Sequence, residues 1–227
     1  FSPLDGFMNH ETLESVLATN RLPDGTAWPM PILLQLTAES AGVDYPAGET
    51  ITLTYQNQPQ AYLTIDEIFS FDLNILTDRW FGTSDPSHPG VNRLLQGSPY
   101  FVAGKVNLLP QAMAIREAYE LTPAQARRVF DSREWQRVMG FDTHTVPHRT
   151  HDYLKLTALA DNQCDGIFIH PVIGPKRPGD FSGDIILESY QLLIDQVYTA
   201  NQALLGGFAT YARYAGPREA VFTAICR

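Results

Sequence analysis

Between Arg137 and Cys226 the chain alternates short apolar runs with longer amphipathic ones, and that rhythm narrows the possible folds more than any other feature. Arg137–Asp142 reads as a buried strand, Pro147–Ala160 as a helix, and Gly166–Val172 (GIFIHPV) as a second buried strand. Asp184–Tyr198 follows as an amphipathic helix with Ile185, Leu192 and Val197 among its apolar positions. Ala203–Phe208 is a third strand, and Pro217–Cys226 opens another helix. Just upstream, Leu121-Thr122-Pro123 is a helix start, with Thr122 as N-cap and Pro123 at the first helical position. Strands that alternate with helices in this way form a parallel sheet with right-handed crossovers. Ligands then bind beyond the carboxyl ends of the strands.

The first half has a different rhythm. Pro31–Thr37, Thr50–Tyr55 and Ala61–Phe71 are β-rich runs, punctuated by turns at Tyr45-Pro46-Ala47-Gly48 and Asn57-Gln58-Pro59. Glu11–Thr19 reads as a short helix starting near Asn9 or His10. Short strands with close turn signals predict a small barrel or mixed β domain. The fold class is therefore α/β, with a β domain over residues 1–118 and a parallel-sheet domain over 119–227.

Charge sharpens the division. Residues 1–118 carry 5 Lys+Arg against 13 Asp+Glu, and residues 119–227 carry 11 against 12. No basic run tracks a nucleic-acid backbone, so DNA and RNA are not expected partners. An anionic ligand would bind in the second half, although solvated surface charge explains the asymmetry equally well. No apolar run approaches the ~20 residues a membrane helix needs, so no membrane association is expected. The two cysteines, Cys164 and Cys226, form no C-x-x-C pair or disulfide framework, and a cytoplasmic location is expected.

The stretch Phe141–Leu154 (FDTHTVPHRTHDYL) holds half of the chain's six histidines. His144, His148 and His151 are spaced i, i+4 and i+7, a metal-ligand face if all three lay on one helix. Pro147 forbids that helix, because it disfavours helical geometry at Val146 and suits a first helical position. His144 then lies in the loop after a strand, and His148 and His151 lie in the first turn of the next helix; no protein-held metal is expected. A helix start after a buried strand presents free N–H groups and a positive dipole end, which suits an anion. Two histidines there can donate hydrogen bonds to phosphate oxygens; the plainer reading is that they are ordinary surface or core residues. A second candidate is Tyr211–Ala220 (YARYAGPREA), where Arg213 and Arg218 bracket a turn at Gly216-Pro217. It is either a ligand loop or a helix-capping loop. Gly174–Gly179 (GPKRPG) is either a phosphate-facing lid or a plain connector.

Along essentially its whole length the chain resembles the ATP sulfurylase (sulfate adenylyltransferase) family. The matching stretches are FSPLDGFM at 1–8, LPDGTAWPMPI at 22–32, FGTSDPSHPGV at 81–91, LTPAQARRVF at 121–130, VPHRTHDYL at 146–154, IHPVIGPKRPGD at 169–180 and RYAGPREAVF at 213–222. The resemblance implies a PUA-like β domain followed by a Rossmann-like nucleotidyltransferase domain. It implies ATP with Mg²⁺ as nucleotide partner, attack of a sulfate oxygen on the α-phosphorus, and release of pyrophosphate. It implies too that His148 and His151 steady the pyrophosphate, that Arg213, Gly216 and Arg218 belong to the nucleotide or sulfate site, and that the protein is a homo-oligomer.

One motif departs from the family. Before the proline the family carries Gln-x-Arg-Asn, whose Gln and Arg hold sulfate; here the tetrad is Asp142-Thr143-His144-Thr145. A permanent bidentate cation has become an imidazole, and a neutral amide has become a carboxylate. Two like unit charges ~4 Å apart repel by roughly 4 kcal/mol at an effective dielectric near 20. The four residues remain candidate site residues, but impaired sulfate chemistry is expected. The alternative is a catalytically silent scaffold or regulatory domain, fused to an adenylylsulfate kinase. The family continues into a further strand and a G-R-D-H-A-G motif, and has a segment upstream of FSPL, so a longer polypeptide is expected.

Overall fold

The computed structural model describes residues 2–43, 45–109, 118–161, 163–199 and 201–227. In chain order the elements are β1 (Gly6–Phe7), α1 (His10–Thr19), β2 (Leu34–Gln35), β3 (Thr50–Tyr55), β4 (Gln58–Ser70), α2 (Leu73–Phe81), α3 (Pro89–Leu95), β5 (Tyr100–Leu108), α4 (Pro123–Ser132), β6 (Val138–Thr143), α5 (Arg149–Asp161), β7 (Gly166–Pro171), α6 (Gly183–Val197), β8 (Ala203–Leu205) and α7 (Pro217–Cys226). They fall into two compact units. One holds the described residues of Phe1–Gln111 together with Arg213–Arg227, the other those of Ala112–Ala212.

The first unit is built on a five-stranded antiparallel sheet in the order β1-β5-β4-β3, with β2 also paired to β5. β3 and β4 form a hairpin whose two turn residues, Gln56 and Asn57, both have positive φ (51° and 60°), the turn that matches strand twist. The organising strand, β5, was not anticipated from the sequence. Its residues Phe101–Gly104 are all buried, so it lacks the alternation that marks a half-exposed strand. The expected strand at 31–37 shrinks to Leu34–Gln35. Pro31 has no N–H to give a ladder, and the Gln35 side chain instead donates to the carbonyls of Leu94 (2.9 Å) and Ser98 (2.8 Å). α1, α2 and α3 each start on a side-chain cap: Asn9 accepts from the Thr12 N–H, Asp72 from those of Asn74 and Ile75, and His88 Nδ1 from that of Val91. Leu13, Val16, Met30, Leu76 and Phe101 are completely buried in this unit.

The second unit contains a three-stranded parallel sheet, β6-β7-β8, as the alternating sequence required. Thr122 and Gln125 close a capping box at the start of α4: the Thr122 hydroxyl accepts from the Gln125 N–H (3.2 Å) and the Gln125 side chain accepts from the Thr122 N–H (2.8 Å). β8 ends at Leu205, three residues short of the expected Phe208, which bridges separately to Val172. α5 starts at Arg149, two residues later than expected, so Pro147 stands outside the helix. Ile167 and Ile169 of β7 are completely buried and pack with Ile186 and Tyr190 of α6. Among the described residues no helix is long and apolar enough to cross a membrane.

Candidate functional site

Strand β6 delivers the tetrad to the carboxyl edge of the parallel sheet. Asp142 pairs with His170 and Thr143 with Pro171 in the β6–β7 register. Thr143 is buried, and its hydroxyl organises the turn that follows. It donates to the Thr145 carbonyl (3.3 Å), and it accepts from the Thr145 N–H (3.3 Å) and from the Tyr190 hydroxyl (3.4 Å). The two tetrad residues that differ most in charge from the family, Asp142 and His144, are both exposed, as is Thr145.

The loop after β7 is tied to this turn. Lys176 Nζ donates to the carbonyls of Val172 (2.7 Å) and His144 (3.2 Å), and burial holds its pKa below the ordinary lysine value while Asp180 opposes that shift. A Cβ on Gly174 would collide with the Thr210 carbonyl. Asp180 accepts from the Arg177 N–H (3.2 Å). These ties favour the connector reading of Gly174–Gly179 over a lid.

His148 is exposed and stands immediately before α5, its carbonyl accepting the first helical bond from Asp152 N–H (3.2 Å). It is therefore the residue preceding the first helical turn rather than a member of it. His151 lies in that first turn and is half-buried. The two imidazoles stack with centroids 3.6 Å apart and planes inclined by 29°. The Phe141 ring meets His151 edge-on at 5.6 Å. The pKa of His151 is depressed, first by burial and then by the charges of His148 and Lys155, with Asp152 acting in the opposite sense. His151 Nδ1 is buried and has no hydrogen-bond partner. A buried lone pair is tolerated better than a buried N–H, so the neutral ring carries its proton on Nε2 and presents a donor there.

Beneath the pair lies a feature that the sequence did not reveal. Lys155 is 1% exposed and is the one buried residue of α5, while Tyr153, Leu154 and Leu156 of the same helix are exposed. Its ammonium lies 5.0 Å from the Tyr190 ring centroid, 5.1 Å from Phe141 and 5.8 Å from Tyr198. Asp152 Oδ1 is 2.9 Å away. The only hint in the sequence is the Asp152/Lys155 spacing of i, i+3, which on its own usually marks a solvated pair.

The second candidate segment belongs to the other compact unit. Gly216, with φ 54°, turns the chain into α7, and Glu219 in its first turn accepts from the N–H groups of Arg213 (2.7 Å) and Ala215 (3.1 Å). Arg218 donates to the carbonyls of Val16 (3.2 Å), Pro29 (3.1 Å) and Leu17 (2.9 Å), fastening the last turn of α1. Arg213 sits over the Phe222 ring at 5.3 Å. The helix-capping description fits these contacts.

Residues 117–227 match the ATP-sulfurylase family model, and residues 1–111 match that of a PUA-like domain. The chain belongs to the ATP sulfurylase family. It is 35% identical over 227 residues to the sulfate adenylyltransferase of Thermococcus onnurineus (strain NA1), covering 100% of this chain and 58% of that protein. It is 37% identical over 227 residues to the sulfate adenylyltransferase of Staphylothermus marinus, covering 100% and 59%. The chain thus spans about three-fifths of the length of these curated relatives. Its fold is also that of part of a hexameric APS kinase from Thiobacillus denitrificans, with a TM-score of 0.74 at 23% identity, covering 99% of this chain and 40% of that one. This ATP sulfurylase-family chain therefore has a PUA-like domain followed by an ATP-sulfurylase domain. Among its described residues no group of three or more His, Cys, Asp or Glu side chains is placed to hold a metal ion.

Proposed function

We propose that residues 119–227 bind ATP and transfer its adenylyl group to an anionic acceptor, with sulfate itself held weakly. The observation that carries this reading is the stacked His148–His151 pair at the start of α5, next to a tetrad that has lost its arginine. In the reaction an acceptor oxygen forms a bond to the α-phosphorus as the bond from that phosphorus to the bridging oxygen of the pyrophosphate breaks. The electron pair leaves on pyrophosphate. His151, neutral and with its proton on Nε2, donates a hydrogen bond to that departing charge, and the exposed His148 supplies a second donor. The free N–H groups of the first turn of α5 add a fixed positive potential. A Mg²⁺ ion carried in with the nucleotide would supply further neutralisation of the phosphate charge.

Asp142 and His144 set the limit on the acceptor. A carboxylate in place of an amide repels a dianion, and an imidazole does not replace a permanent bidentate guanidinium. Sulfate adenylation is therefore slow, whereas nucleotide affinity persists. The same carboxylate favours a second reading, a silent scaffold or regulatory domain within a longer polypeptide that carries an adenylylsulfate kinase. In either reading the protein is a homo-oligomer.

Pyrophosphate release from ATP and Mg²⁺, with and without sulfate, tests the reading in the full-length protein. Low sulfate-dependent turnover that rises at least tenfold in the triple variant Asp142→Gln, His144→Arg, Thr145→Asn supports it. Fast sulfate-dependent turnover in the unaltered protein overturns the impairment, and absence of nucleotide binding favours the silent domain. A G-x-x-x-x-G-K-[ST] motif in the full polypeptide would point to the kinase partner.

A further inference from the structure

We propose that Lys155, held against Asp152 and enclosed by Phe141, Tyr190 and Tyr198, is a positioning residue for His151: it occupies the Asp152 carboxylate, which would otherwise act on the stacked imidazole pair unopposed. The proposal rests on the role given above to His151. Packing does not explain an ammonium at this place. A methionine has nearly the same reach and would fill an aromatic box without desolvating a charge. What the ammonium adds is charge, delivered 2.9 Å from Asp152 one helical turn below the pair. The three rings supply their negative faces at 5.0–5.8 Å, which stabilises the cation where water does not reach it.

The consequence falls on His151. Two imidazoles stacked at 3.6 Å cannot both hold a proton cheaply, and a neutral donor at His151 requires that no net negative charge face it. α5 itself contributes Asp152 and Lys155, and the residue before it is His148. The elements packed against α5 carry Asp142 on β6, His170 on β7 and Tyr190 on α6, with Tyr198 just beyond it. Of these groups, His148 and Lys155 push the His151 pKa down, in addition to burial, and Asp152 pulls it up. Lys155 thus acts twice, through its own charge and by neutralising the one group with the opposite effect. Tyr190 also links this box to the tetrad, since its ring lies over Lys155 and its hydroxyl donates to Thr143.

The test follows the six histidines by NMR as a function of pH in the full chain, with His151 assigned from a His151→Gln variant. Lys155→Met is expected to raise the His151 midpoint by about one pH unit. Adding Asp152→Asn to Lys155→Met is expected to bring it back below the single-variant value. An unchanged or lowered midpoint in folded Lys155→Met overturns the proposal, because a purely structural lysine would alter the unfolding temperature and leave the titration alone. Should Lys155→Met not fold, Asp152→Asn decides: a lowered His151 midpoint supports the coupling and an unchanged one overturns it. The acidic limb of pyrophosphate release should move with the NMR midpoint. A shifted midpoint in a protein that releases no pyrophosphate would leave the coupling standing and remove the proposed function instead.

Discussion

Two helices of this chain start beside a proline in a loop rich in nitrogen donors, and they use those donors in opposite ways. At α7 the donors and acceptors are turned inward. Glu219 takes the N–H groups of Arg213 and Ala215, and Arg218 gives its guanidinium to three carbonyls of residues 16, 17 and 29. At α5 the corresponding groups are not consumed by the protein backbone. His148 is exposed, and His151 leaves Nδ1 without a partner while stacking on its neighbour. Proline, basic side chains and a helix dipole are common to both, so these features do not by themselves distinguish a ligand loop from a clasp. Where the polar atoms of the side chains end up does distinguish them.

The largest effect expected from breaking this contrast lies at the clasp. Arg218→Met removes a charged donor from three carbonyls and should destabilise the chain by about 3 kcal/mol or more, read as a lower urea midpoint at unchanged slope. Stability within about 0.5 kcal/mol of the original would mean that the guanidinium is not spent on the fold. At α5 the expected pattern is reversed. His151→Ala should change stability little but weaken pyrophosphate binding about 10- to 100-fold, measured by calorimetry, since a hydrogen bond to a charged group is typically worth ~1.5–3 kcal/mol. Equal pyrophosphate affinity in the variant would make the pair an ordinary surface feature.

Much of this architecture was legible because local chemistry settled it. Thr122-Pro123 marked the start of α4, and Thr50–Tyr55 and Pro217–Cys226 have the bounds that their patterns predicted. The failures share a physical cause, which is that the deciding partner lies far along the chain. β5 is covered on both faces by elements distant in sequence and so lost its alternation. The partners of Arg218 lie about 200 residues away. Lys155 does not stand out in the sequence because its enclosure comes partly from Tyr190 and Tyr198, on and after a different helix. The placement of the His-x-x-His pair at the start of α5 was legible for the opposite reason, since one strand–loop–helix crossover carries it, whereas the tetrad before it was marked by the family resemblance.

Acid pH sharpens the comparison further. The His151 midpoint is lower in the folded chain than its ordinary value near 6.5, so the unfolded chain takes up the extra proton first. Stability should therefore fall as pH drops below about 6.5 and level off once the folded midpoint is passed. Urea midpoints at several pH values should show this loss, and His151→Gln should reduce it. An undiminished loss in that variant would assign the acid sensitivity to other groups.

The smallest effect expected concerns the wall of the lysine box. Tyr198 is buried, its hydroxyl has no hydrogen-bond partner, and burial followed by the charge of Asp152 pushes its pKa up to about 12. Removing that hydroxyl relieves an unsatisfied polar atom and keeps the ring that faces Lys155, so Tyr198→Phe should be neutral or stabilising by up to about 1 kcal/mol. The alkaline behaviour gives the sign an independent check. Above pH ~10 the unfolded chain loses the phenolic proton while the folded chain retains it, so this residue draws stability down as pH rises from about 10 towards 12. The phenylalanine variant should lose part of that decline and keep the Lys155 environment intact. A destabilised variant would mean that the hydroxyl is engaged in solution, and the box would then owe part of its shape to a polar contact rather than to its three rings.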